Sequence, residues 1–112
     1  MLIEDKTFKF SLSIIKLVKD LKANKEFVFA DQLLRSSTSI GANVVEAGAG
    51  QSKRDFIAKM AIASKEARET RYWLRLIKES ELTKMGTESY LDEIDQIIKI
   101  LTKIVKTSQE TI

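Results

Sequence analysis

A chain of 112 residues with 44% apolar and 31% charged side chains is long enough for one domain with one core, and too evenly mixed for a disordered tail or a membrane protein. Cysteine and histidine are both absent, which removes disulfides, thiol chemistry, Cys/His zinc sites and the commonest general base. A net charge of +3 and a pI near 9.2 permit an acidic polymer as partner without requiring one.

Proline is absent and glycine is confined to positions 41, 48, 50 and 86, so long unbroken helices are expected. The first runs from about Asp5 to Ala23. Phe10, Ile14, Leu17 and Leu21 recur at 4-3-4 spacing, with Ile15 and Val18 widening the stripe and Asp5 as the capping carboxylate. After the polar break Asn24-Lys25-Glu26, a second helix spans about Phe27 to Ala47. Its seam is Ala30, Leu33, Ser37, Ile40, Val44 and Ala47, and Gly48-Ala49-Gly50 closes it through left-handed glycine geometry.

Ser52-Lys53-Arg54-Asp55 has the form of a capping box and opens a third helix. Phe56, Met60, Ala63, Ala67, Thr70, Leu74 and Ile77 mark its core face over about 26 residues, roughly 40 Å. Ser80 to Gly86 connects to a fourth helix from Thr87 to about Ser108. Its seam is Leu91, Ile94, Ile98, Leu101 and Val105. Acidic residues come early (Glu88, Asp92, Glu93, Asp95) and Lys99, Lys103 and Lys106 late, complementing the helix dipole.

Four amphipathic helices with short connections predict an all-α, antiparallel up-and-down four-helix bundle, one domain over 1–112. No stretch approaches the roughly 18 apolar residues of a membrane span. The start Met1-Leu2-Ile3-Glu4-Asp5-Lys6 lacks a basic segment and an apolar run, so no secretory leader is expected. No catalytic residue, metal site or cofactor is expected. Glycine-rich phosphate loops are missing, as is the Glu-x-x-His of di-iron bundles. Glu46 and Asp55 form the one candidate carboxylate pair, and a helix cap plus an ion pair accounts for them as well.

Two surface features stand out. From Gln32 to Gly48 the only charges are Arg35 and Glu46, while Gln32, Ser36, Ser39 and Asn43 make a stripe of short polar groups. These residue types cost a few tenths to ~1 kcal/mol each in a helix relative to alanine. Burial on more than one side, partly against another copy, would explain the stripe; a tolerated neutral surface is the alternative. On the third helix Arg68, Arg71, Arg75 and Lys78 share one flank, whereas Trp73 and Leu76 lie off the core seam on the other. Trp73 and Leu76 are candidate subunit contacts or cover for a groove edge. The basic row, with Arg54, can fork onto phosphates or onto glutamates, as in Arg75 with Glu79.

The stretch from Gln32 to Glu46 also resembles the four-helix-bundle proteins encoded by intervening sequences in bacterial 23S ribosomal RNA genes. Gln32, Arg35, Ser39, Ile40, Asn43 and Glu46 match a Gln-x-x-Arg leading into Ser-Ile-x-x-Asn-x-x-Glu-Gly. Lys53, Asp55-Phe56 and the run Lys65 to Leu74 continue the likeness. One departure is Ala47, where the family has glycine; here the glycine follows at Gly48.

The resemblance implies a bundle that assembles as a homopentamer in the bacterial cytoplasm. Its relatives include accessory proteins of diversity-generating retroelements, so RNA, DNA, a reverse transcriptase or another protein are the implied partners. Gln32, Ser36, Ser39, Asn43, Glu46, Trp73 and Leu76 are then the expected oligomer interface. Arg54, Arg68, Arg71, Arg75 and Lys78 are the expected nucleic-acid contacts. A structural interaction module indifferent to nucleic acid is the competing reading.

Overall fold

The computed structural model describes residues 2–111 and is helical in four long pieces. These are α1 (Leu2–Ala23), α2 (Phe27–Gly48), α3 (Lys53–Glu79) and α4 (Glu88–Glu110). The body measures 47 × 20 × 20 Å, one helix length by two helix diameters. Neighbours run α1–α2, α2–α3, α3–α4 and α4–α1, with neither diagonal pair in contact, so the helices stand at the corners of a square. Cross-links fix the antiparallel sense. Glu46 faces Lys59, Ser36 faces Thr70, Arg71 faces Asp95, and Lys6 faces Glu93.

The expected seams of α2 and α3 fill the core. Leu33, Ile40, Val44, Met60, Leu74 and Ile77 are wholly buried. In α1 the same holds for Ile14, Leu17 and Leu21, and Val18 is buried as well. The helix starts earlier than its sequence pattern indicates, at Leu2. Asp5 therefore lies inside the first turn beside Glu4, where it complements the dipole, and is not a cap. Ile15, expected in the stripe, is on the outside. In α4 the buried set is Tyr90, Ile94, Ile97 and Leu101, while Leu91, Ile98 and Val105 are only half-buried. The apolar stripe of α4 is wide enough for two overlapping seams, and contact with α1 and α3 selects one. The helix also runs on to Glu110, leaving no basic residue in its last turn.

The turns differ from expectation in an informative way. No glycine adopts positive φ; Lys25 (φ 62°) and Glu81 (φ 54°) do. Each is the left-handed residue of a Schellman closure. Glu26 N–H donates to Leu21 C=O at 2.8 Å and Lys25 N–H to Lys22 C=O at 3.0 Å; Leu82 N–H and Glu81 N–H repeat the pattern on Ile77 and Lys78. At the end of α2 the chain stays right-handed instead, with Ala49 at φ −97°. Glycine at position 50 serves close approach: a Cβ there would stand 3.1 Å from the Ala47 carbonyl oxygen. At the start of α3 the forward half of the expected capping box forms, Asp55 N–H donating to Ser52 Oγ at 3.1 Å, without a return bond from Ser52 N–H to the Asp55 carboxylate among the described residues.

Candidate nucleic-acid interface

The basic row of α3 lies on the face it shares with α4. Arg68 donates to Thr102 Oγ1 at 3.1 Å, and Arg71 Nε donates to Asp95 Oδ1 at 2.7 Å. Together with Ile98 and Lys99 these side chains line a shallow groove of about 400 Å³. Lys78 reaches Glu88 at 2.9 Å, and that charge-assisted bond raises its ammonium above the usual 10.5. Among the described residues, ion pairs take Arg71 and Lys78 but leave Arg54, Arg68, Arg75 and Lys99. The anticipated Arg75–Glu79 pair does not form. Acid pairing with Arg71 comes from α4, across the groove. Arg54 stands fourteen residues before Arg68, roughly 20 Å along the axis, and belongs to the far end of the bundle.

Sequence reasoning gave the arginines and missed Lys99. Its only signal was a place among the late basic residues of α4. That it faces Arg68 depends on the α3–α4 register, which a single helical pattern does not contain.

The polar stripe of α2 resolves differently. Ser36 is fully buried inside its own chain: Thr70 Oγ1 lies 2.9 Å from Ser36 Oγ. It is therefore not available to another copy, which corrects its expected place in an oligomer contact. Ser39 donates to the Arg35 carbonyl and Asn43 to the Ser39 carbonyl, each at 2.8 Å, so both are satisfied within the helix. Gln32 Oε1 accepts from Arg35, whose guanidinium also pairs with Glu66 and Glu69 of α3. Glu46 is exposed and lies 3.9 Å from Lys59.

Trp73 donates Nε1–H to Glu69 Oε2 at 3.0 Å and packs edge-on to Phe29, ring centres 6.1 Å apart. It covers the α2–α3 groove edge and stays partly exposed; Leu76 beside it is half-buried. A surface that the sequence reading did not single out lies on the opposite side of the square from the basic groove. There Phe8, Leu12 and Ile15 of α1 stand exposed beside Val45 of α2.

No group of three or more acidic side chains among the described residues is placed to hold a metal ion. No described helix is long and apolar enough to cross a membrane.

The geometry defines an up-and-down four-helix-bundle protein. The sequence model of the family described as 23S rRNA-intervening sequence protein matches residues 1–103, and the chain belongs to that family. A crystal structure of a protein with unknown function from the S23 ribosomal protein family of Bacteroides thetaiotaomicron VPI-5482 is similar throughout. Identity is 46%, coverage is 93% of this chain and 98% of that one, and the TM-score is 0.88. No curated protein matches.

Proposed function

We propose that the chain is a non-enzymatic, self-associating bundle that binds nucleic acid along the α3/α4 face. The observation that carries this reading is the groove of Arg68, Arg71 and Lys99, in which Asp95 is the one carboxylate among three cations, with Arg75 one turn further along α3. Guanidinium forks on a rigid helix suit phosphate oxygens spaced along a strand. The family description names 23S rRNA, so RNA is the first polymer to test. Five copies is the expected assembly and the cytoplasm the expected compartment, both from the resemblance to relatives. Absence of histidine and cysteine supports a role without catalysis.

Anisotropy of a labelled single-stranded RNA of about 20 nucleotides at ~50 mM salt tests the reading, since most affinity of this type is electrostatic. Binding should occur, and Arg68→Glu with Arg75→Glu should abolish it while helicity stays unchanged. Absence of binding by the unaltered protein, or indifference to both reversals, refutes it.

The exposed apolar positions on α1 and α2 favour a second reading, an interaction module whose partner is a protein, such as a reverse transcriptase, with no nucleic-acid role. That reading predicts the same assembly with or without RNA, and no change in it when the arginines are reversed.

A further inference from the structure

The geometry points to Tyr72 as a base-stacking platform on the rim of the basic groove, so the nucleic acid that fits this face is a single strand with unpaired bases. This inference rests on the reading of the α3/α4 face as a nucleic-acid site and names the form of polymer it takes. Tyr72 is 58% exposed on the outer side of α3. Arg68, four residues before it, and Arg75, three after, are its neighbours on the helix surface, with Cβ atoms roughly 5–6 Å from its own. The two arginines stand two turns apart, about 10 Å along the axis, and Tyr72 lies between them. A phosphate on each arginine therefore sets the intervening nucleotide opposite the tyrosine ring. The ring is also held in place. Phe29, Trp73 and Tyr72 form a chain of edge-on contacts, ring centres 6.1 and 5.5 Å apart, running from the α2/α3 groove edge to the surface. Its middle member is anchored by the 3.0 Å bond from Trp73 Nε1–H to Glu69. A ring oriented in advance loses little rotational freedom when a base stacks on it.

Charge around Tyr72 selects the polymer. The charged side chains within one turn of it on α3 are Arg68, Glu69, Arg71 and Arg75. Glu69, the single carboxylate, is drawn to the α2 side by Arg35 and Trp73. From α4 the groove adds Lys99, and Asp95, which Arg71 takes. Lys65 and Glu79, two turns away on either side, offset each other. The other strongly exposed aromatics lack this setting. Phe8 has Glu4 and Asp5 within one turn alongside Lys6 and Lys9, and Phe27 has Glu26 and Asp31 alongside Lys25. Acid balances or outweighs base there, whereas three arginines face one glutamate around Tyr72. A duplex keeps its bases stacked inside the helix and offers this face only phosphate and sugar. A single strand offers a phosphate to each arginine and the flat side of a base to the ring.

Tyr72→Ala tests the assignment against three labelled RNAs of about 20 nucleotides at ~50 mM salt: a single strand, its duplex, and a strand of the same length without bases. Alanine is the best helix former and the position is exposed, so helicity by circular dichroism and the mass by native mass spectrometry should not change. Single-strand binding should weaken about 10-fold, the worth of one stacked base, with the same salt slope because no cation is lost. Binding of the duplex and of the baseless strand should change by less than about 2-fold, since neither presents a base to the ring. Tyr72→Phe keeps a stacking face and should hold single-strand affinity within about 2-fold. If Tyr72→Ala weakens all three RNAs equally, or none, while Arg68→Glu with Arg75→Glu still abolishes binding, stacking is wrong and the phosphate groove stands. A change in the assembled mass makes Tyr72 a subunit contact and overturns the inference as well. If the unaltered protein binds none of the three, the nucleic-acid reading itself falls and this inference falls with it.

Discussion

Salt dependence gives the α3/α4 groove a quantitative signature. Three of its cations, Arg68, Arg75 and Lys99, are not in ion pairs among the described residues, and Arg71 is held by Asp95. Each phosphate neutralised on a single strand contributes about −0.7 to the slope of log K against log salt, so three contacts give about −2 per engaged subunit. Raising salt from ~50 to ~200 mM should then weaken binding about 20-fold. Arg75→Ala should lower the slope to about −1.4 and that sensitivity to about 7-fold.

Asp95→Asn works in the opposite direction. It frees Arg71 as a fourth contact, and the slope should steepen to about −2.8, with affinity rising at low salt. Anisotropy titrations of one labelled RNA at four salt concentrations measure all three proteins. Slopes that stay equal across the three refute the groove as the phosphate site, whatever the absolute affinity.

Other expectations concern the scaffold. Lys25→Gly and Glu81→Gly should each stabilise the fold by about 1 kcal/mol, because both residues occupy left-handed backbone that strains a side chain, and thermal melting should shift up by roughly 4 °C for each. Ser36→Ala should cost about 1 kcal/mol through loss of its bond with Thr70, read as a lower urea midpoint, with the assembled mass unchanged. Burial, with a smaller contribution from Asp20, raises the Tyr90 phenol above its ordinary value of 10.0. The folded state therefore holds that proton more tightly than the unfolded one. The stabilisation is complete below pH 10 and is lost as pH climbs through the raised value. Urea midpoints should fall on that alkaline side for the unaltered protein, and less steeply for Tyr90→Phe.

Much of this molecule is legible in one dimension. Helical periodicity, the lack of proline and the Ser52 cap yield four helices and nearly all of the α2 and α3 core, because a 3.6-residue repeat of apolar groups is a local property of a chain. The arginine row on α3 is legible for the same reason. What failed depends on neighbours. In the α4 seam Ile94 and Leu101 hold, while Tyr90 and Ile97 take the places expected for Leu91 and Ile98, because the apolar stripe admits two faces. Ser36, expected against another copy, lies inside its own chain because Thr70, thirty-four residues later, packs against it. The close of α2 was assigned to left-handed glycine, yet Ala49 stays right-handed there, while Lys25 and Glu81 take left-handed positions because helix closure, not residue preference, set the geometry.

The sequence by itself determined the helices, their order, the family and the presence of a basic flank. Only the tertiary structure decided which sides of those helices meet. It brought Lys99 to Arg68, bound Arg71 to Asp95, hid Ser36, and left Phe8, Leu12, Ile15 and Val45 uncovered across from the basic groove. A helical repeat fixes direction around one axis, whereas pairing between helices depends on register and rotation that arise only when all four pack together.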